Sequence, residues 1–437
     1  MSLRIKAPAI HPLQKINFVE PQIFDITPTV KLYWMQPVPD ETMRIEFHFD
    51  AGTIRGNRKI AGFVNSLLLS GTANKSSTQI NQELDGLGAY LDQEIAQELA
   101  IVSLYCLKEN VEKAVAILVN AIQEIAFHEH EISDMLREKK QQFLVSSEKV
   151  SVLVRRAFQK QLFSNSENYN RQLELTDLED VSVLDLKRFH KEFYLQGLRK
   201  VIVVGDVEPA YIDQLIDTVG AWSKLGTCEF ETDFINIPGR LHIEKKDAVQ
   251  TAIRMGIPLF NKTHEDFLDF QILQTIFGDY FGSRLMSNIR EDKGYTYGIG
   301  CGVAESNNAG YFIISTEVGK DVAEATLIEI KNEMDLLKKE LVPLEELNLV
   351  KNYLLGQILK SADGPNAMID LYMAAHLHGK DFDYYNEAIQ HIQNISQARI
   401  LELANKYLNW DNFTIVTAGT KVKLNAKIRV SKKETVS

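Results

Sequence analysis

The sequence predicts an α+β protein of two similar halves, each a mostly antiparallel sheet covered by helices on one face. Three observations point there. Strand-like and helix-like patterns follow one another in the same order twice. The closing strands of the two series, Val201-Ile-Val-Val-Gly205 and Thr414-Ile-Val-Thr-Ala-Gly419, stand about half a chain apart. A repeat that long is a domain duplication, since solenoid periods run to roughly 20–50 residues. Finally, 437 residues with 45% hydrophobic and 24% charged content suit a globular protein large enough for two separate cores.

The elements follow in order. Each half opens with a strand pattern, Met43 to Phe49 and Thr251 to Ile257. A helix comes next, Ile60 to Leu69 and Phe267 to Ile276, and then a Gly-containing turn with alternating strands, Gly88 to Leu107 and Gly294 to Ser315. The long helices Val111 to Ala126 and Val322 to Leu337 are amphipathic; Val111, Val115, Leu118, Val119 and Ile122 share one face. A further helix is introduced by Glu129-His-Glu131 in one half and by Pro343-Leu-Glu-Glu346 in the other. Ser182 and Ser396 then stand where a side-chain oxygen caps the last helix before the closing strand. Gly226 to Lys246 contains Pro238-Gly239 and reads as the connection, with a strand at Arg240 to Ile243. The two domains are therefore placed at residues 1–225 and 226–437.

Charge and motifs exclude several functions. Lys and Arg total 48 against 59 Asp and Glu, a net charge of -11 that repels nucleic acid and anionic membranes. No run of 18 apolar residues is present, so no membrane span is expected. Met1 to Pro12 lacks the apolar core of a secretory signal; the expected location is cytoplasmic or periplasmic. Cys106, Cys228 and Cys301 are far apart, which favours neither a thiolate zinc site nor a disulfide framework. Neither a phosphate-binding GxxxxGK[ST] loop nor a Gly-x-Ser-x-Gly elbow occurs. His128 and His130, and His376 and His378, are spaced i,i+2, which on a helix points them apart. Lys245-Lys246, Lys432-Lys433 and the basic stretch from Lys421 to Ser437 read as solvated surface and a frayed tail.

Two segments carry a family resemblance: Ala61-Gly-Phe-Val-Asn-Ser-Leu-Leu-Leu-Ser-Gly-Thr72 and Ser283-Arg-Leu-Met-Ser-Asn-Ile-Arg-Glu-Asp-Lys-Gly-Tyr-Thr-Tyr-Gly298. With the duplication, they resemble the M16 (insulinase, or pitrilysin-like) zinc peptidases over nearly the whole chain. The resemblance implies two mitochondrial-processing-peptidase-like domains. It is nearest to the short members, in which two subunits pair around one chamber. Active members carry His-x-x-Glu-His on the first helix, before a Gly-Thr turn, and a further Glu ligand on a later helix. Two imidazoles one turn apart bind zinc, and the Glu between them activates the bound water. With Gly71-Thr72 setting the register, those positions fall on Gly62, Asn65 and Ser66, and the later Glu on Gln142. All four are neutral. The helix nevertheless keeps an apolar stripe of Ile60, Phe63, Val64, Leu67 and Leu68.

The second half keeps the family's other signature, an Arg and a Tyr that approach the substrate backbone, here Arg290 and Tyr297. A guanidinium offers several fixed donors to peptide carbonyls, and a phenol can donate to a carbonyl or a developing oxyanion. Gly294 allows the turn between them, while Gly278 and Gly282 loosen the preceding loop. Tyr295 is expected on the same strand face as Tyr297, and Arg284 is read as structural. The expectation is a non-catalytic, substrate-binding subunit of a heterodimeric zinc metallopeptidase acting on peptides. Zinc would sit in a partner subunit bearing His-x-x-Glu-His and not in this chain, and the isolated chain could form a homodimer. The alternative is a scaffolding homologue with no part in proteolysis.

Overall fold

A computed structural model of the chain describes residues 13–36, 41–56, 58–164, 166–170, 172–179, 181–222, 237–305 and 310–420. The expectations for Met1 to Pro12, Cys228, the first part of the connection and the tail from Lys421 fall outside them.

In the first half, strands β1 (Gln22–Thr27), β2 (Val30–Met35) and β3 (Thr42–Phe49) precede helices α1 (Arg58–Leu67) and α2 (Ser77–Gly86). Strands β4 (Tyr90–Ile95) and β5 (Ala100–Leu107) lead to α3 (Val111–Gln123), α4 (Glu129–Ser147), α5 (Val150–Leu162), the single turn α6 (Glu167–Asn170) and α7 (Val183–Phe193). Strand β6 (Leu198–Val204) closes the sheet, and α8 (Pro209–Val219) follows. The second half repeats the plan with β7 (Gly239–Glu244), β8 (Gln250–Leu259), α9 (Phe267–Gly278), β9 (Thr296–Glu305) and β10 (Gly310–Gly319). Helices α10 (Ala323–Lys339), α11 (Leu344–Ser361), α12 (Pro365–His376), α13 (Asp383–Asn394) and α14 (Gln397–Tyr407) then lead to β11 (Thr414–Gly419). Ser182 and Ser396 accept from the backbone N–H groups of Asp185 and Arg399, as the cap reading expects.

The sheets run β1-β2-β6-β3-β5-β4 and β7-β11-β8-β10-β9, so β2, β6, β3, β5 and β4 correspond to β7, β11, β8, β10 and β9. All pairings are antiparallel except β2 with β6 and β7 with β11. This corrects the sequence reading at two points. Each half opens earlier than expected, the first by two strands, β1 and β2, and the second by one, β7. The strand at Arg240 to Ile243 is thus an integral edge of the second sheet, because it pairs with the closing strand β11.

Alternation decides which side of each strand is buried where. Met43, Ile45, Phe47 and Phe49 enter a core drawn from residues 30–222, while Ile253, Met255 and Ile257 enter one drawn from residues 253–415. The opposite faces hold the second correction, since helices do not cover one side only. Tyr33, Met35, Ile202 and Val204 pack under Ile369, Tyr372 and Met373 of α12. Ala252, Val416 and Ala418 pack under Val154, Phe158 and Leu162 of α5. Each half thereby lends one helix to the other's sheet. Gly256 of β8 is where α5 settles: a Cβ there would stand 2.9 Å from the Phe158 ring and 2.2 Å from the Phe312 carbonyl oxygen.

Between α12 and the first sheet lies a buried ionic cluster. Glu46 accepts from both Arg44 and His48, and Arg44 donates to Asp370 of α12 at 2.7 Å. Burial alone would raise the Glu46 pKa, but the hydrogen bonds and charges of His48 and Arg44 outweigh it and hold the carboxyl at about 2.

Phe158 is 2% exposed, so truncating it empties the seam between α5 and the second sheet. Phe158→Ala is expected to cost about 3–5 kcal/mol, read as a lower urea midpoint for unfolding of the second sheet's core.

Candidate functional site

Helix α1 is positioned as its apolar stripe predicts: Ile60, Phe63, Val64, Leu67 and Leu68 are all buried. It packs against α4, α7 and β4. The turn after it is fixed by Gly71, whose φ of 114° suits glycine, and by Thr72, whose hydroxyl accepts from the N–H groups of Asn74 and Lys75. His128 Nε2 lies 3.1 Å from the Thr72 carbonyl oxygen and ties the start of α4 to this turn.

The side chains at the motif positions do not form a metal site. Gly62 presents open space, with nothing within 4 Å of where a Cβ would be. Asn65 is 4% exposed, and its Nδ2 donates to the Glu94 carbonyl at 3.3 Å. It also faces the Tyr194 phenol, whose pKa burial pushes well above its usual range. Ser66 is exposed and donates back to the Gly62 carbonyl at 2.9 Å. Gln142 is exposed on α4, where its amide donates to Glu138. A donated N–H, a hydroxyl turned to its own helix and a missing side chain do not fit zinc. Among the described residues, no three His, Cys, Asp or Glu side chains are grouped to hold a metal ion.

His128 and His130 depart from the spacing argument. His128 is the extended N-cap of α4 and lies outside the helix, so the two rings stack with centroids 5.5 Å apart. His376 and His378 have separate partners: His376 meets the Tyr33 hydroxyl at 2.8 Å, and His378 faces Glu305 at 3.6 Å.

The second-half residues occupy a different setting. Arg290 lies on a π-helical segment, Met286–Asp292, a distortion frequent at functional sites. Its guanidinium stands 4.5 Å over the Phe281 ring, and its buried Nη1 has no hydrogen-bond partner. Arg284 is instead clamped by two hydrogen bonds to Glu346, at 2.9 and 2.8 Å, which suits a structural role. Gly294 takes φ 64° in the turn toward β9. Tyr297 is 94% exposed. Tyr295 precedes the strand and packs against the core, so the expected shared face with Tyr297 does not arise. Gly278 also serves differently from expectation. A Cβ there would meet Cys301 Sγ and Leu285 at 2.9 Å, so it permits close packing of α9 on β9 and loosens nothing.

Phe281, under Arg290, and Gly298, beside Tyr297, both line an open groove of about 550 Å³ that also takes in Gly300, Ile313 and Ser315. β9 is the last strand of its sheet. Along it Gly298, Gly300 and Gly302 alternate with Tyr297, Ile299, Cys301 and Val303, leaving one face as bare backbone. Sequence reasoning found the Arg and the Tyr but passed over this glycine row. Its signal, Gly-x-Gly-x-Gly at strand period, was there to be read.

If side-chain identity alone keeps α1 from binding zinc, restoring ligands should restore binding. Gly62→His with Ser66→His places two imidazoles one turn apart on accessible positions. The double variant is expected to bind Co²⁺ with a visible d–d band, and the parent chain to give none.

Residues 36–176 match the model of the insulinase family, peptidase family M16, and residues 180–354 match the peptidase M16 inactive domain. An uncharacterized zinc protease of Rickettsia bellii is 24% identical over 365 residues, 80% of this chain and 85% of that protein. The uncharacterized zinc protease YmxG of Bacillus subtilis is 20% identical over 359 residues, 80% of this chain and 86% of that protein. In fold, the chain resembles a peptidase M16 inactive domain from Pseudomonas fluorescens, with a TM-score of 0.83 at 22% identity over 92% of this chain and 99% of that one. A protease from Helicobacter pylori gives 0.80 at 14% identity, over 91% and 99%. With the family's two domain models together matching most of the chain, it belongs to peptidase family M16.

Proposed function

We propose that this chain is the non-catalytic, substrate-holding subunit of a two-chain M16 zinc metallopeptidase that cleaves peptides. The observation that carries this reading is α1: a helix whose apolar stripe is fully buried while its motif positions hold Gly62, Asn65 and Ser66. Selection for a stable fold alone accounts for the stripe. Loss of every ligand type from the exposed and open positions leaves no means of activating water, so the chemistry belongs to a partner subunit with an intact His-x-x-Glu-His and its zinc.

The second half supports a role in holding substrate. A strip of bare backbone and Phe281 line one groove; Arg290, with an unused donor, stacks on that Phe281 ring, and the exposed Tyr297 adjoins Gly298 in the same strand. An extended peptide can approach a side-chain-free strand closely, and its carbonyls can take N–H and O–H donors from the rim. The Phe281 ring holds the Arg290 guanidinium in place, which lowers the entropy lost on binding. A purely scaffolding role leaves the unpaired Nη1 and the exposed phenol unexplained.

The isolated chain is expected to cleave nothing. Adding the partner subunit should produce metal-dependent peptide cleavage. Arg290→Ala should then lower kcat/KM by about 100-fold and Tyr297→Phe by about tenfold, within the range for lost transition-state or positioning donors. Cleavage by the isolated, metal-replete chain would sink the reading.

A further inference from the structure

A second cavity, of about 480 Å³, lies where α5 of the first half crosses β8 and β10 of the second. Its walls include Arg155, Arg156, Gln159, Gln172, Arg254 and Tyr311, with no Asp or Glu among the lining residues. Arg156 is already engaged, donating to the Leu173 carbonyl and to Glu174. Gln159 and Gln172 donate to the Tyr169 and Arg156 carbonyls. Arg254 differs. Its guanidinium stands 5.7 Å over the Phe158 ring, and its Nε is buried without a hydrogen-bond partner. The Tyr311 hydroxyl and a second cation, Arg155, act on it. Burial lowers the Arg254 pKa from its ordinary value, Tyr311 opposes this, and the Arg155 charge adds to the lowering. Two guanidinium groups facing one cavity with no carboxylate between them is an unfavourable arrangement that one bound anion would relieve.

The sheet connects this cavity to the glycine row. Gly300 of β9 is opposite Ser315 of β10, and Ser315 is opposite Arg254 of β8. Cross-strand partners share a face, so Arg254 lies on the bare face of β9, two strands in, about 10 Å away. Ser315 between them is exposed and carries only a hydroxymethyl group.

We propose that the cavity between α5 and the second sheet binds a carboxylate of the substrate peptide, held by Arg254 and Arg155. This rests on the reading that the β9 groove holds peptide, and it names the substrate class as peptides with a carboxylate near the bound segment. That group is a C-terminus or an acidic side chain.

The test is fluorescence anisotropy on the full chain with three N-terminally dye-labelled heptapeptides of alanine and valine. One has a free C-terminal carboxylate, one a C-terminal amide, and one is the amide with a single internal Glu. At least one carboxylate peptide is expected to bind about tenfold or more tightly than the plain amide, the range for a charge-assisted contact. A preference for the free acid assigns the site to the C-terminus, and one for the Glu peptide assigns it to a side chain. Arg254→Met should abolish the preference. Arg155→Gln, at an exposed position where folding is safe, should reduce it. Equal binding of all three peptides, or binding of none, overturns the proposal, as does inorganic phosphate that competes as tightly as the preferred peptide. The outcome is separable from the subunit reading. Loss of partner-dependent cleavage in Arg290→Ala with no carboxylate preference defeats the cavity assignment alone. A carboxylate preference with no dependence on Arg290 defeats the subunit reading alone.

Discussion

A β-sheet has two faces, and one layer of helices seals only one of them. That constraint organises the molecule. In the first sheet, Tyr33, Met35, Ile202 and Val204 point away from the half's own helices and would leave an apolar surface in water. In the second, Ala252, Val416 and Ala418 do the same. The chain closes both by exchange: α5 crosses to the second sheet and α12 to the first. The far faces are closed only in part. α5 reaches β10 at Tyr311 and Ile313, and past them Gly298, Gly300 and Ser315 border open space. Both candidate binding regions therefore arise from the same packing solution, one beneath the lent helix and one beyond its edge.

Helix α1 combines a buried apolar stripe with polar positions of very different surroundings. Five apolar residues still hold the helix against the core, and the Gly71-Thr72 turn still locks its end to α4. The polar positions carry different costs. Gly62 and Ser66 face space or solvent, where substitution is cheap. Asn65 is buried, and its amide pairs with a strand carbonyl. A carboxylate there would set a negative charge beside that carbonyl oxygen, so an amide is the more stable occupant of a site without metal. On this physical ground Asn65 suits the packed environment in which α1 holds it.

The second half shows the opposite balance. Arg290 and Arg254 are partly enclosed cations, each stacked on a phenylalanine ring and each with one guanidinium nitrogen unused. Such nitrogens cost stability unless another molecule completes them. The carboxylate-bound Arg284, a few residues from Arg290, shows how this chain satisfies an arginine that serves only the fold.

Much of this was legible in one dimension. Hydrophobic period and capping chemistry are local properties, so the repeated order of elements, the stripe on α1 and the caps at Ser182 and Ser396 could be read directly. Residue identity alone also determined that Gly62, Asn65, Ser66 and Gln142 carry neither imidazole nor carboxylate, because no packing can give a side chain a functional group it lacks. Tertiary structure decided the rest. The pairing of β7 with β11, the exchange of α5 and α12, and the meeting of Arg155 with Arg254 join residues far apart in the chain, and local pattern carries no information about which distant face seals which. The same holds for His128 and Tyr295, where one residue's position relative to a helix cap or strand start reversed the orientation that spacing predicted.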